Sequence, residues 1–344
     1  MRVALCSTVV PFVKGGVRNI VEWLEDELRR AGHEVERVYL PEVDHRDVLC
    51  DQMAAFRWID LSAADRVVCF RPQAHLIRHP HKILWFIHHL RTYYDLWGHP
   101  GIGPLPTARN HAFRDTLRAI DTAALLEAER VFTNSQVVKD RLRQFNGIDS
   151  EVLYPPLHRP ERFSCRSFGE EVVYVSRIER HKRQHLLVEA LAHTQTPVKV
   201  RLCGVGSDRQ YSSAIMDTAR RHRLGERFTF DNRWIGEDEK AEILADSLAV
   251  AYLPVDEDSY GYPVLEGAHS GKPAITASDA GGVLEFVSHG DNGFCTDPDP
   301  VAIAGVLDQL YRDRLLAAEM GHAARERVDD LGISWPRVID RLMA

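Results

Sequence analysis

The sequence predicts an α/β protein built from two doubly wound parallel sheets, one in each half of the chain. Short apolar runs alternate with segments of helical periodicity along the whole chain. About six such runs occur in each half, and residues 155–169, a segment with prolines, serines and arginines, separate the halves. Strands that alternate with helices are typical of right-handed crossovers, which produce parallel sheets.

The first half begins with a strand and then a helix whose apolar residues Ile20, Val21, Leu24 and Leu28 share one face. Gly32 follows as a helix C-cap residue would. The predicted strands of this half are residues 2–7, 34–40, 66–70, 82–89, 130–135 and 151–154. The predicted helices are residues 17–31, 107–128 and 136–145.

The second half repeats this rhythm. Its predicted strands are residues 171–176, 198–204, 227–231, 248–253, 273–277 and 293–296. Its predicted helices are residues 184–192, 209–223, 238–245 and 264–270. Ligands of open α/β sheets bind beyond the carboxyl ends of the strands, so the chemistry is expected in the loops that follow strands.

Composition narrows the class of protein. The chain has 344 residues, enough for two ordinary domains, with 44% hydrophobic and 27% charged residues. Its net charge of −7 argues against nucleic acid as a main partner. No signal peptide, membrane span or CxxC pair is visible, so we expect a cytoplasmic protein with reduced cysteines. The histidines show no metal-ligand spacing, and no metal site is predicted.

The segment 258–266 carries two carboxylates, Asp258 and Glu266, eight residues apart. It lies between a predicted buried strand and a predicted helix. The N–H groups and dipole of a helix N-terminus after a glycine loop favour an anion such as phosphate. The alternative is an ordinary loop with two solvated acids.

A basic loop follows the first strand of the second half. Arg177 and Lys182 in this loop have the positive charge needed to stabilise a leaving diphosphate. The alternative is a solvated surface, but this loop and segment 258–266 open on the same edge of the predicted sheet. Glycine loops at residues 15–16, 204–207 and 279–285 add backbone N–H groups. The GxGxxG, Walker and GxSxG motifs are absent, which disfavours hydride transfer, a P-loop enzyme and a serine hydrolase.

Two histidines, His88 and His89, end the fourth strand of the first half. Either could bond a substrate hydroxyl or cap the strand, and the sequence leaves both interpretations open.

Taken in order, these motifs resemble the retaining, nucleotide-sugar-dependent glycosyltransferases of group 1, also called glycosyltransferase family 4. The resemblance covers nearly the whole chain. It rests on Gly15-Gly16, Gly32–Val35, Asn134-Ser135, Tyr154–Pro156, Ser176-Arg177 with Lys182, Gly204-x-Gly206, residues 258–266, Gly282–Glu285 and Asn292–Phe294. The family has a Glu-x7-Glu signature, whose first acid is replaced here by Asp258. Glu257 lies one residue earlier, but the spacing to Glu266 favours Asp258.

The resemblance implies a GT-B architecture of two Rossmann-like domains that face each other across a cleft. Residues 1–160 would form the acceptor-binding domain, with the C-terminal helix 333–344 packed back on it, and residues 161–332 the nucleotide-sugar-binding domain. The implied catalytic residues are Arg177, Lys182, Asp258 and His88. The implied donor-binding residues are Gly16, Gly204, Arg233, Trp234, Gly261, Tyr262, Pro263, Val264 and Glu266.

An acceptor would enter through the first domain. Tyr93, Tyr94 and Trp97 lie on a long loop that reaches Pro106 and is aromatic enough to stack on sugars. Arg109, Arg114 and Arg118 recur on the next helix; they form either a solvated basic face or a surface for an anionic membrane.

The resemblance implies transfer of a hexose from GDP-mannose or a UDP-sugar to a glycan or lipid-linked acceptor, in cell-surface polysaccharide or lipopolysaccharide biosynthesis. No cofactor and no metal would be needed, and peripheral contact with the inner face of the cytoplasmic membrane would fit a lipid-linked acceptor. Two alternatives stay open: an epimerase of nucleotide sugars with the same fold, and an eroded protein that binds a nucleotide sugar without catalysis.

Overall fold

The computed structural model describes residues 1–12, 15–42, 45–99 and 103–344. Within them the chain forms two units, Met1–Pro156 with Ile333–Ala344, and Leu157–Gly332. Residues 13 and 14, just before the first glycine loop, and residues 100–102 of the predicted acceptor loop lie outside the described residues.

The first unit contains a six-stranded parallel sheet with the strand order β2-β1-β3-β4-β5-β6. Its strands are β1 (Arg2–Val9), β2 (Glu34–Pro41), β3 (Arg66–Cys69), β4 (Lys82–Phe86), β5 (Arg130–Thr133) and β6 (Glu151–Val152). Its helices are α1 (Gly16–Arg30), α2 (Arg46–Arg57), α3 (Ala108–Leu125), α4 (Gln136–Asn146) and, from the C-terminal segment, α11 (Trp335–Met343).

Local sequence explains several helix ends in this unit. The hydroxyl of Thr107 accepts a hydrogen bond from an N–H of α3, and Ser135 does the same for α4. Gly147 ends α4 in the left-handed conformation, which glycine adopts readily.

Helix α11 is tied to the first sheet by side chains from three strands. The guanidinium of Arg66 donates to the carbonyl oxygen of Leu342 at 2.8 Å. Arg130 donates to the carbonyl oxygen of Arg341, whose own side chain forms an ion pair with Glu151. The C-terminal helix α11 is therefore part of the same unit as the N-terminal strand β1.

The second unit contains another six-stranded parallel sheet, with the order β12-β11-β10-β7-β8-β9. Its strands are β7 (Glu171–Val175), β8 (Lys199–Cys203), β9 (Phe228–Asp231), β10 (Ala249–Ala251), β11 (Ala274–Ala277) and β12 (Gly293–Thr296). Its helices are α5 (Gln184–His193), α6 (Arg209–Arg221), α7 (Glu237–Ala245), α8 (Tyr262–His269), α9 (Pro300–Arg312) and α10 (Arg314–Asp330). The predicted fold class of two doubly wound parallel sheets is confirmed.

Three helices, α2, α9 and α10, have no counterpart in the sequence prediction. For α9 a signal exists, because Asp299 caps the helix, Pro300 starts it, and Ile303 and Leu307 bury one face. No helix among the described residues is long and apolar enough to cross a membrane.

Two glycines inside helices of the second unit differ in what surrounds them. A Cβ on Gly321 of α10 would overlap the carbonyl oxygen of Gly271, whereas a Cβ on Gly305 of α9 would meet open space. Replacing Gly305 by alanine should raise the free energy of unfolding by up to about 1 kcal/mol, because alanine restricts the unfolded chain and favours helix. Replacing Gly321 by alanine should lower it by about 2 kcal/mol, because the loop must move to relieve overpacking.

Urea unfolding of the two variants and the parent protein measures this difference. Equal effects of the two substitutions would contradict the described contact between α10 and the loop at Gly271.

Candidate active site

The strand order of the second sheet creates a topological switch point between β7 and β10. The chain runs from β7 outward through β8 and β9, and then returns to place β10 on the other side of β7. Ligands of doubly wound sheets bind at this point, beyond the carboxyl ends of the two strands. The loops that follow β7 and β10 are the two that carry Arg177, Lys182 and Asp258.

Lys182 is buried, and its ammonium lies between these two loops. Its Nζ donates to the hydroxyl oxygen of Tyr252 at 2.8 Å and forms an ion pair with the carboxylate of Glu257. The Tyr252 hydroxyl in turn donates to Oε2 of Glu257 at 2.9 Å. The hydroxyl of Tyr174 donates to the carbonyl oxygen of Lys182 and accepts from the N–H of Leu253, which fixes the backbone on both sides.

Glu257, and not Asp258, is the acid that contacts Lys182. Burial raises the pKa of the Glu257 carboxyl, but the charge and hydrogen bonds of Lys182 and Tyr252 outweigh burial and hold the pKa below its usual value. Glu257 forms a parallel bridge with Gly281. This bridge fixes the backbone from which the Glu257 side chain reaches Lys182. Asp258 is partly exposed, and its predicted role at the donor sugar stays a prediction.

The loop after β7 is held by the glycine loop after β8. Gly204 has φ of +146°, and a Cβ there would overlap the carbonyl oxygen of Ser176. Arg177 is exposed, and its Nη1 donates to Oε1 of Glu179 at 2.6 Å. Gly204 thus permits the close approach that presents Arg177 at the sheet edge.

Helix α8 begins beside the group formed by Lys182, Tyr252 and Glu257. Gly261 precedes it with φ of +78°, and a Cβ at this position would overlap the ring of Tyr252. Tyr262 and Pro263 form the first turn, so the helix starts two residues earlier than predicted, and Val264 is buried. The positive end of the α8 dipole therefore lies next to the ring that holds Lys182.

Glu266 lies in the second turn of α8 with only 3% of its surface exposed. Its Oε1 accepts from Nζ of Lys240 at 2.5 Å, and Lys240 also contacts Glu237 at 3.0 Å. Burial raises the pKa of the Glu266 carboxyl more than Lys240 lowers it. No local pattern in the sequence indicates this partner, and the predicted contact of Glu266 with the donor stays a prediction.

Arg233 and Trp234 follow β9, on the outer strand of the sheet. Both are exposed, and the guanidinium of Arg233 forms an ion pair with Glu239. Their predicted contact with the donor stays a prediction.

The first unit contains the remaining predicted donor contacts, Gly16 and His88. Gly16 is the first residue of α1. His88 is partly exposed; its Nδ1–H donates to the carbonyl oxygen of His89 at 2.6 Å, and burial with the charge of Arg71 lowers its pKa to about 3. A neutral imidazole with Nδ1 protonated carries a lone pair on Nε2.

His89 belongs to the core of the first unit. Its Nε2–H donates to Oδ1 of Asn146 at 2.8 Å, and its ring lies 4.2 Å from the ring of Tyr94, centre to centre. Of the two histidines, His88 is therefore the one that a ligand can reach.

The predicted acceptor-binding aromatics require a correction. Tyr93 and Tyr94 are buried in the hydrophobic core of the first unit, and the hydroxyl of Tyr94 donates to Oδ2 of Asp121 at 2.7 Å. Trp97 is partly buried against the same core. Because the tyrosine rings are covered by protein, they do not offer the sugar-stacking surface that the sequence suggested.

Two of the three predicted basic residues of α3 make contacts inside the first unit. Arg118 donates to the carbonyl oxygen of Tyr93 at 3.0 Å and lies over the ring of Tyr94. Arg114 lies over the ring of Trp97 and pairs with Asp115. Arg109 is exposed. The basic face is thus smaller than the sequence pattern indicated.

The second unit also resembles known proteins in sequence. Residues 166–327 match the family model described as glycosyl transferases group 1. This match spans nearly all of the second unit, so the second unit has the sequence of a group 1 glycosyl transferase domain.

Among curated proteins, the chain is similar to human alpha-1,3/1,6-mannosyltransferase ALG2, with 28% identity over 79% of the chain and 69% of the human protein. It is also similar to N-acetyl-alpha-D-glucosaminyl L-malate synthase of Bacillus anthracis, with 28% identity over 55% of the chain and 49% of that protein. The chain thus spans about two thirds of the first relative and about half of the second.

Solved structures share the fold over the whole chain. Sucrose-phosphate synthase of Thermosynechococcus elongatus matches with a TM-score of 0.76 and 18% identity, covering 98% of this chain and 97% of that one. Anabaena Alr3699/HepE, solved with UDP and glucose, matches with a TM-score of 0.71 and 17% identity over 99% and 98%. These likenesses show that the chain has the GT-B fold.

In the described ranges, no group of three or more histidine, cysteine or acidic side chains is arranged to hold a metal ion.

The buried His89 predicts a pH dependence of stability. Burial lowers its pKa in the folded protein from about 6.5 to about 4. Below pH 6.5 the unfolded state binds a proton that the folded state excludes, so stability falls as pH falls from 6.5 towards 4. At pH 5 the difference amounts to about 2 kcal/mol.

Replacing His89 by glutamine, which keeps an N–H donor, should remove this contribution. Urea unfolding of parent and variant at pH 7 and pH 5 measures it: the parent should lose more stability than the variant. An equal loss in both proteins would show that His89 is not the titrating group.

Proposed function

We propose that the protein is a retaining glycosyltransferase that moves a hexose from a nucleoside-diphosphate sugar to a glycan or lipid-linked acceptor. The observation that carries this proposal is the position of Lys182 at the switch point of the second sheet, next to the start of α8. A fixed cation and a helix N-terminus on neighbouring loops suit a diphosphate. The family relationship supplies the reaction class.

In this proposal Lys182 and Arg177 stabilise the diphosphate as it leaves, since charge that develops on the leaving oxygen is best met by preorganised positive groups. The reaction is metal-independent and uses no cofactor, because these cations and the α8 N-terminus supply the required charge. Asp258 and Gly261 contact the sugar and phosphate, Gly204 supports the Arg177 loop, and Glu266, Arg233 and Trp234 contact the nucleoside. Roles for Gly16 and His88 at the donor remain predictions.

The donor is GDP-mannose or a UDP-sugar. Two relatives support this choice: one is named a mannosyltransferase, and one was solved with UDP and glucose. We place the reaction in cell-surface polysaccharide or lipopolysaccharide assembly. An epimerase of nucleotide sugars would instead convert the donor without any acceptor, which NMR of the incubated donor detects. A binding protein without catalysis would bind the donor but neither transfer nor hydrolyse it.

Nucleotide binding and the two cations provide the main test. One of GDP, UDP, ADP and CMP should raise the melting temperature by mass action, and the matching sugar donor should be turned over. Replacing Arg177 or Lys182 by alanine should lower kcat/KM for that donor about 100-fold or more, the usual effect of removing a charge-stabilising donor.

Lys199→Ala is the matched control. Lys199 pairs with Glu170 at 3.0 Å at the amino-terminal edge of the same sheet, so its removal should leave kcat/KM unchanged. Full activity of both the Arg177 and Lys182 variants with every donor tried would refute the proposal.

A lipid-linked acceptor suggests a place of membrane contact on the first unit. A groove between α2 and α3 has two lobes of about 290 and 340 Å³ that share Cys50, Met53 and Ile120. Trp58 and Leu126, at the C-terminal ends of the two helices, are 85% and 70% exposed. Exposed apolar side chains beside basic ones favour an anionic membrane surface.

Co-sedimentation with vesicles of anionic phospholipid tests this contact. Leu126→Ser should reduce the bound fraction severalfold, because an exposed apolar anchor is lost. Leu315→Ser is the control, since Leu315 of α10 is also 70% exposed but lies in the second unit. Equal binding by the two variants, or no binding by the parent, would refute membrane contact at this groove.

A further inference from the structure

Both cations predicted to hold the diphosphate have carboxylate partners in the protein itself. Arg177 pairs with Glu179, and about half of the Arg177 side chain is exposed, so this pair is weak and solvent-screened. Lys182 is buried, and it pairs with Glu257, whose side chain is 24% exposed. A pair with one buried member is less screened by solvent than an exposed pair, so Glu257 affects anything else that binds the Lys182 ammonium.

The Glu257 backbone is fixed by the neighbouring loop. Its N–H donates to the carbonyl oxygen of Ala280 at 3.2 Å, and its own carbonyl oxygen accepts from the N–H of Gly282 at 2.8 Å. Gly281 has φ of +65°, and a Cβ there would overlap the backbone of Glu257. The acid is therefore built into the site by hydrogen bonds that do not depend on Lys182.

We propose that Glu257 is the resident counter-ion of the diphosphate site: it occupies the Lys182 ammonium when the site is empty and competes with the diphosphate for it. This inference rests on the proposed function and adds a residue outside the Glu-x7-Glu pair. Donor binding exchanges a carboxylate for a phosphate oxygen on Nζ, and repulsion between Glu257 and the product diphosphate favours product release. Glu257 acts through Lys182 and is a positioning residue.

Two physical consequences follow. Without the carboxylate, the empty site contains an uncompensated buried ammonium, which destabilises the ligand-free protein. A nucleoside diphosphate then supplies the missing counter-charge, so the variant should bind it more tightly than the parent. A residue with a purely structural role would weaken ligand binding or leave it unchanged.

The experiment compares Glu257→Gln with the parent by calorimetry, using GDP and UDP as ligands. We expect a dissociation constant about tenfold lower in the variant, a lower melting temperature without ligand and a larger ligand-induced rise. In steady-state transfer the variant should lower both KM and kcat, because product leaves more slowly.

Two further variants separate the causes. Glu170→Gln removes the acid of the Lys199 pair at the opposite edge of the sheet and should bind nucleotides as the parent does. In a Lys182→Met background, Glu257→Gln should no longer tighten binding, since the ammonium that it frees is gone. If Glu257→Gln does not fold, Glu257→Asp, which withdraws the charge from Lys182, should show tightening of the same sign.

The outcomes distinguish the inference from the proposed function. If the parent binds neither nucleotide and uses no nucleotide sugar, the proposed function fails. If the parent binds one of them and the Glu257 variant binds it equally or more weakly, the counter-ion role fails and the proposed function stands.

Discussion

Arg183 joins three loops at the carboxyl edge of the second sheet. Its guanidinium donates to the carbonyl oxygens of Leu253 and Pro254 at 2.8 and 2.7 Å, and it forms a two-pronged ion pair with Asp279. The loops after β7, β10 and β11 are thereby fixed to one another. Bidentate pairs of this kind are among the strongest and most directional polar contacts in proteins. The geometry around Lys182, the residue next to Arg183, depends on this connection.

The backbone at Arg183 shows how firmly the connection holds. Its φ of +52° lies in the left-handed region, which disfavours a side chain by about 1 kcal/mol or more. Since Arg183 is both the last residue before α5 and the source of the guanidinium, the turn and the ion pair stabilise each other. A glycine would suit the turn but could not join the loops.

The sequence predicted the layout of the fold because apolar runs and helix caps are local signals. It did not predict the strand order, because that order depends on pairing between distant segments. Helix α9 was not predicted either, although Asp299 and Pro300 mark its start. The same holds for the candidate site: local motifs predict its loops, but contacts between distant segments are not predicted. The loops that carry Arg177, Lys182 and Asp258 were identified from local motifs.

Partners that come from elsewhere in the chain were not predicted. Glu257 was set aside because spacing favoured Asp258, and only the pairing of its loop with Gly281 turns the Glu257 side chain towards Lys182. Tyr93 and Tyr94 were expected to stack on sugars, but both rings lie in the core, where Asp121 and Arg118 contact them. Whether an aromatic residue contacts a ligand or the core is decided by tertiary packing, which a single sequence shows poorly.

The attachment of α11 to the first sheet affects the order in which the chain can mature during translation. Leu157–Gly332 is continuous, so every contact inside that unit becomes available before the last helix has been made. The first unit cannot form all its contacts until α11 has been synthesised, because Arg66 donates to the carbonyl oxygen of Leu342, 276 residues later in the chain. The first unit therefore begins to be synthesised before the second unit but is completed after it. During translation of the second unit, the first unit exists without α11.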